Sequence, residues 1–494
     1  MQDVNSPGLA DADEPDALDH AEAGRRAVRG SVLRSGGYAL GILLSLVTAP
    51  LVIRQLGVED FGIYVTITAL TTIISGVSDL GLTSLGVREW ATSDAAQRRE
   101  LVGDLLGARL AFTGLGLFAA FGFAIAAGYG ARELVATACA CAALVLMGVQ
   151  AAMTVPLAGQ LRQGWIAAAD LARQGGQIVL VVVLVLLGAG LVPLMAATVF
   201  GAAISLVVTT WPSAGLLSPP AFRPHRWLQL LSGAVPFVAA SALSVVYLRA
   251  TVVLTSLVAS EAQNGAFAIA FRVLEVLINV PALLIGALFP LLARASQTEG
   301  RMGGYLTPMW SATLAAGAIA GVGVSAGAPI AVLALEGSQL PDAVDALRIL
   351  GAALGFSFVG AFAQYSLLAL RAHRQILLVN GLALSLNVVL TLTLASSHGA
   401  VGAALALGLS EVVGATLSVV FLRRAAPPGA VPLARLLPVG VAVGGAVAVG
   451  LLLAPVGVFA VAAGAGVTAV SLVVALGLVP AAAWAAIPRR GVAT

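Results

Sequence analysis

The chain has 494 residues, 59% of them hydrophobic and only 10% charged, against roughly a quarter charged in an ordinary soluble domain. So few charges cannot cover a water-soluble fold, and a bilayer is the solvent that fits. The formal charge is +3 and all 26 basic residues are Arg. This excludes lysine chemistry, such as a Schiff base, and the Walker A loop with its phosphate-binding Lys.

Residues 1–24 hold seven acids (Asp3, Asp11, Asp13, Glu14, Asp16, Asp19, Glu22) and little that is apolar. Such a segment cannot bury enough surface to order itself, and it begins neither basic nor apolar, as a signal peptide does. A disordered acidic cytoplasmic tail is expected over 1–30. From residue 31, long apolar runs alternate with short polar breaks. A spanning helix needs about 20 apolar residues, and fourteen runs qualify: 33–53, 62–83, 105–128, 132–156, 165–188, 191–212, 230–258, 265–292, 305–334, 346–369, 375–396, 399–422, 433–453 and 457–484. The fold class is therefore an all-α polytopic membrane protein with about fourteen transmembrane helices. Only Ala454, Pro455 and Val456 separate the last two runs.

Arginine tests the topology independently, because short cytoplasmic loops collect positive charge. With the N-terminus inside, nineteen arginines fall in inner segments, two (Arg54, Arg132) in outer segments and five (Arg109, Arg173, Arg249, Arg272, Arg348) within spans. This bias predicts an even number of spans and two cytoplasmic termini. Reporter fusions are expected to place both termini, and loops near Arg98, Arg226, Arg301 and Arg424, in the cytoplasm. An external position for any two of these sinks the fourteen-span arrangement.

The chain also repeats itself. Gly62, in FGIY, matches Gly265, in NGAF; Arg88 matches Arg294; Arg162, in LRQG, matches Arg371, in LRAHR. The slowly drifting offset is that of a duplicated six-helix unit, and six being even, both copies run the same way through the membrane. Parallel repeats of this kind are a transporter architecture. The expected division is an N-lobe over 31–213, a cytoplasmic linker over 214–229, a C-lobe over 230–424, and two further spans with a short cytoplasmic C-terminus over 425–494. Cys139 and Cys141 lie two apart on one helix and do not face each other, and the four His are scattered. No disulfide, metal, cofactor or catalytic set is assigned.

Four segments resemble the Wzx-type polysaccharide flippases of the MOP (multidrug, oligosaccharidyl-lipid and polysaccharide) superfamily. They are TAPLVIRQLGVEDFGIY (48–64), with R-x-LG-x-x-x-FG-x-Y; DLGLTSLGVREWA (79–91); NGAFAIAFRVLEVLINVPALLIGALFPLLAR (264–294); and QYSLLALRAHR (364–374). The resemblance covers roughly 31–425. It implies two six-helix lobes around a central cleft in a bacterial plasma membrane. The implied activity is flipping of undecaprenyl-diphosphate-linked oligosaccharide from the inner to the outer leaflet. Implied partners are that lipid-linked oligosaccharide, membrane lipids, and polysaccharide polymerases or glycosyltransferases, with no nucleic acid.

Ionisable groups inside a span are expensive and mark function by default. Arg249 and Arg272, from adjacent spans, both lie roughly 12 Å below the outer surface, and Glu275 shares a helix face with Arg272. One reading is a cationic site for the diphosphate, with Glu275 orienting Arg272, since guanidinium binds phosphate through a planar fork. The other is a structural Arg272–Glu275 pair with Arg249 reaching outward to the surface. Glu411, in the middle of span 12, and Asn387, at similar depth in span 11, are ion-coupling candidates, or else a helix contact. Asp79, Asp170 and Arg173, near inner helix ends, either anchor those ends or gate the inner mouth.

Two other readings stand beside flipping of a lipid-linked oligosaccharide. One is a drug or cation antiporter, or a lipid-precursor flippase, of the same superfamily; a drug exporter favours acids in its cleft. The other is a membrane-embedded polysaccharide enzyme. Such enzymes need a sizeable external loop, and the longest here, about 335–345, holds Glu336, Asp342 and Asp345 without a catalytic set.

Overall fold

A computed structural model describes residues 21–216, 218–232, 235–295 and 302–475. Within them the chain is helical, without a strand. In chain order the helices are α1 (Ala21–Asp79), α2 (Leu82–Thr92), α3 (Ala95–Ala126), α4 (Ala131–Gly159), α5 (Gln163–Leu186), α6 (Leu191–Thr210), α7 (Pro224–Ser232), α8 (Val235–Val258), α9 (Glu261–Leu277), α10 (Asn279–Ala295), α11 (Met302–Glu336), α12 (Pro341–Ala369), α13 (His373–Leu390), α14 (Ser396–Ala425), α15 (Leu436–Leu453) and α16 (Val458–Ala475).

Helix α1 counts 59 residues, far more than the roughly 30 Å hydrocarbon core needs. It is two passes joined at Gly57, whose φ of 75° and ψ of 175° reverse the chain. Side chains avoid that backbone region, and glycine enters it freely. Gly399 divides α14 in the same way, so that its first residues belong to the turn after α13. Ten segments of the described residues are long and apolar enough to cross a membrane, and two shorter apolar helices accompany them. With the long segments divided at Gly57 and Gly399, each of the fourteen expected spans has a helical counterpart. Of the expected acidic tail, 1–20 lies outside the described residues, whereas 21–30 is helical, the start of α1. Residues 476–484 of the last expected span, with Arg301, Arg489 and Arg490, also lie outside them.

Two expected spans differ in detail. The eighth is broken at Ile278 into α9 and α10, and the Asn279 amide donates to the Glu275 carbonyl at 2.7 Å across the break. The seventh starts at Val235, because the expected linker runs on as the short helix α7. Pro224 opens that helix, where a missing N–H costs nothing. The linker is strapped to α3. The Ala221 N–H donates to the Gly103 carbonyl at 2.9 Å, Arg226 pairs with Glu100 at 2.8 Å and Asp104 at 3.1 Å, and Trp227 is buried against Phe112. Arg98 lies over the Trp90 ring. Arginines at this end therefore also serve packing.

The duplication is visible in the turns. Positive-φ residues recur at Gly128 and Gly337 (209 apart), Leu161 and Arg371 (210 apart) and Gly188 and Gly399 (211 apart). Leu161 and Arg371 occupy the same C-terminal turn, closed by Arg162 N–H to the Leu157 carbonyl at 2.8 Å and Ala372 N–H to the Leu367 carbonyl at 2.9 Å. This corrects the sequence register by one: Arg371 corresponds to Leu161, not Arg162. A second of the three predicted matches, Gly62 with Gly265, is a physical contact. A Cβ on Gly62 would stand 2.8 Å from the Gly265 nitrogen, and one on Gly265 would stand 2.1 Å from the Val58 carbonyl oxygen. Equivalent positions of two repeats that touch lie on the axis relating them.

The core explains how the lobes meet. One buried cluster joins Ile53, Phe61 and Val65 of α1 to Phe267, Phe271 and Leu350 of the C-lobe, toward the arginine-poor end. Helix α9 is buried nearly all round there, as an apolar helix between neighbours must be. Toward the arginine-rich end each lobe has its own core, around Trp90 and Leu105 in one and Trp310 and Phe362 in the other. Helices α15 and α16 pack on α11 beside an apolar groove of about 840 Å³.

Candidate functional site

Between the lobes, two adjoining cavities of about 240 and 450 Å³ share Arg173, Gln174, Arg249, Arg272 and Glu275. Helix α5 supplies the first two residues from the N-lobe, and α8 and α9 supply the rest from the C-lobe. Glu275 bridges both C-lobe arginines: Arg249 Nη2 donates to Oε1, and Arg272 Nη1 donates to Oε2 at 2.7 Å. The Arg249 guanidinium also lies over the Phe271 ring, 5.7 Å from its centre, a favourable cation–π position. The side chains of Arg249, Glu275 and Arg272 remain 17%, 21% and 28% exposed, which leaves them open to the cavity. Arg173, on the N-lobe wall, makes no ion pair among the described residues. Since α9 begins at Glu261, Arg272 lies about 16 Å along the helix axis from that end.

The predicted site residues thus sort into four places. Arg249, Arg272 and Glu275 form one triad, and Arg249 turns inward to the carboxylate rather than outward to the surface. Arg173, expected with Asp170 near an inner helix end, lines the same cavity, whereas Asp170 lies one turn earlier, its carbonyl accepting from the Gln174 amide at 3.3 Å. Asp79 is engaged within the N-lobe, taking Arg109 at 2.5 Å and Thr83 at 2.7 Å. The Arg109 side chain is only 6% exposed while that of Asp79 is 38% exposed, so a half-buried ion pair spans the break between α1 and α2, where Leu80 and Gly81 have φ of 40° and 71°. Glu411 and Asn387 bind separate partners. Ser357 donates to the Glu411 carboxylate at 2.6 Å, and Thr251 donates to the Asn387 side-chain oxygen at 3.0 Å. Helix α13 runs on beyond Asn387 into a π-helix over Thr391–Ala395.

Several cavity residues escaped the sequence reading. Tyr64, at the end of R-x-LG-x-x-x-FG-x-Y, lines the cavity near Arg272 and Glu275. The motif's other members explain its spacing: Arg54 donates across the lobes to the Ala334 carbonyl at 2.7 Å, Gly57 makes the turn, and Gly62 makes the contact with Gly265. Gln174 and Gln177 line the cavity beside Arg173. The legible signal was a polar stripe (173, 174, 177) on one face of an otherwise apolar helix. Among the described residues no group of three potential metal ligands occurs, and both cysteines are free.

Comparison with known proteins fits this architecture. The lipid II flippase MurJ, in an inward closed conformation, superposes with a TM-score of 0.73 at 11% identity, covering 90% of this chain and 98% of that one. An inward-facing multidrug resistance MATE family transporter of the MOP superfamily gives 0.58 at 15% identity, covering 78% and 94%. A MOP superfamily transporter from Pyrococcus furiosus gives 0.52 at 15% identity, covering 82% and 95%. At such identities the likeness establishes the fold: a multi-pass transporter fold of two repeated lobes. No curated protein matches the sequence significantly. The family model described as polysaccharide biosynthesis protein matches residues 27–296, more than half of the chain. The chain therefore belongs to the polysaccharide biosynthesis protein family.

Proposed function

We propose that this protein flips an undecaprenyl-diphosphate-linked oligosaccharide from the inner to the outer leaflet of a bacterial plasma membrane by alternating access, with both termini in the cytoplasm. The observation that carries this reading is the cationic cavity at mid-depth, with Arg249 and Arg272 from one lobe and Arg173 from the other. A diphosphate is the part of such a substrate that no apolar route can carry. Fixed guanidiniums offset its desolvation, which is large for an unpaired ion. Family membership supports the sugar-lipid class of cargo, and the fold shared with a lipid II flippase supports a lipid-linked one. A drug or cation antiporter is the weaker reading, because the charged groups shared by the two cavities are three Arg against one Glu. The lobes share a core toward the arginine-poor end and keep separate cores toward the other.

The test is reconstitution in vesicles with a fluorescent lipid-diphosphate oligosaccharide and its neutral, phosphate-free counterpart. The diphosphate form is expected to cross at least tenfold faster than in protein-free vesicles, and the neutral form at the background rate. Equal rates for the two forms overturn the reading. Glu411, which also makes a helix contact through Ser357, is the first carboxylate to test for coupling to an ion gradient. In the same vesicles Glu411→Gln is expected to flatten any pH dependence of flipping, and an unchanged profile removes it from that role.

A further inference from the structure

Glu275 places its carboxylate where a substrate phosphate would go. One oxygen takes Arg249 and the other takes Arg272, so the two guanidiniums are already bound by an anion from the protein itself. The charged and titratable groups facing it come from every wall: Arg249 on α8, Arg272 on α9, Arg173 on α5 and Tyr64 on α1. Glu275 is also mechanically placed. It stands three residues before the break at Ile278, and its carbonyl accepts the Asn279 amide across that break. On one side of the break α9 belongs to the core shared by both lobes; on the other, Ile285 and Leu292 of α10 belong to the core of the C-lobe alone.

We propose that Glu275 is the resident counter-ion of the cavity, neutralising Arg249 and Arg272 while it is empty, displaced when an anionic cargo binds, and returning when the cargo leaves. The inference rests on the reading above that the cargo is an anionic lipid headgroup. Its physical basis is that guanidiniums without a partner are costly to bury. The lobes can therefore close over the cavity in two conditions, with Glu275 on the arginines or with cargo on them. Net transport requires both, since the protein returns empty after each delivery. Exchange of one cargo molecule for another requires only the loaded condition. The counter-ion also keeps binding moderate, because cargo has to displace a good partner rather than enter a vacant cation site.

The experiment compares wild type, Glu275→Gln and the double change Glu275→Gln, Arg249→Gln, each monodisperse in lipid nanodiscs and vesicles. Two quantities are measured: affinity for inorganic diphosphate, and the rate of a labelled lipid-diphosphate sugar crossing into a leaflet that is either empty or preloaded with unlabelled lipid. Glu275→Gln is expected to bind diphosphate at least tenfold more tightly, a change of about 1.4 kcal/mol. It is expected to lose more than tenfold in net flipping while exchange falls far less. The double change restores the original net charge of the triad and is expected to move the ratio of net flipping to exchange back toward wild type. Unchanged or weaker diphosphate binding by Glu275→Gln, or equal losses of net flipping and exchange, overturns the proposal and leaves Glu275 as a packing partner. Wild-type protein that flips no lipid diphosphate, while Glu275→Gln still tightens diphosphate binding, sinks the cargo reading and keeps the counter-ion. Absence of diphosphate binding in both proteins overturns both.

Discussion

Arg272→Ala is expected to slow flipping of a lipid-diphosphate sugar by about 10- to 100-fold, because losing hydrogen bonds to a charged group costs about 1.5–3 kcal/mol. Arg272 lies at mid-depth on the cavity wall, and Arg249 cannot replace it, being the other partner of the same carboxylate. Lysine keeps the charge but loses the planar fork, so Arg272→Lys is expected to retain intermediate activity. Removing the guanidinium also leaves Glu275 with one partner fewer in a half-buried place. Folding is therefore controlled with the double change Arg272→Ala, Glu275→Ala, which strands no carboxylate. The measurement is the initial rate in vesicles, normalised to folded protein. Wild-type flipping by Arg272→Ala would show that the residue only packs its helix.

Gly265→Ala is expected to open the seal between the lobes at the arginine-poor end. The added methyl would lie 2.1 Å from the Val58 carbonyl oxygen. That neighbour is backbone, which cannot rotate aside as a side chain does, so α1 and α9 have to separate. Overpacking of this kind costs about 1–3 kcal/mol, and here the strain falls on the contact that joins the lobes at the arginine-poor end. Beside it, the Asn264 amide donates to Thr66 at 3.1 Å, and Thr66 is fully buried. With Thr66→Cys as a reporter, a membrane-impermeant maleimide is expected to label the protein slowly in the wild-type background and at least tenfold faster with Gly265→Ala. Flipping is expected to fall in parallel. Equal labelling in the two backgrounds would show that the seal does not depend on this close approach.

The membrane class, the spans and the duplicated unit were all legible in the sequence. Each rests on local composition, on the length of an apolar run or on a motif recurring at a near-constant offset. The equivalence of Gly62 and Gly265 was legible, but that the two touch was not, because only the packed lobes show where the axis relating the repeats passes. Helix breaks were harder to read. The break at Ile278 lies between Glu275 and Asn279, three residues before the helix-kinking Pro281, and Leu80 carries a positive φ that its side chain disfavours, held by the distant Arg109–Asp79 pair.

What the sequence determined by itself was which groups are costly in a bilayer: Arg249, Arg272, Glu275, Arg173 and Glu411 stand out because hydrocarbon penalises charge wherever it sits. Which of them share a space was decided by tertiary structure alone. Arg173 is 76 residues before Arg249 in the chain, and only the packing of α5 and α8 against α1 puts both on one cavity. Spacing on one helix offered Glu275 to Arg272, but the second bond, to Arg249, depends on how α8 lies beside α9. Asn387 and Glu411, similar in depth, bind different partners because their helices present them to different neighbours. Depth along a membrane helix follows from counting residues at a fixed rise. Which neighbour a side chain meets is set by how the helices rotate and pack against one another, and in this chain that rotation is what makes Arg173, Arg249, Arg272 and Glu275 one site.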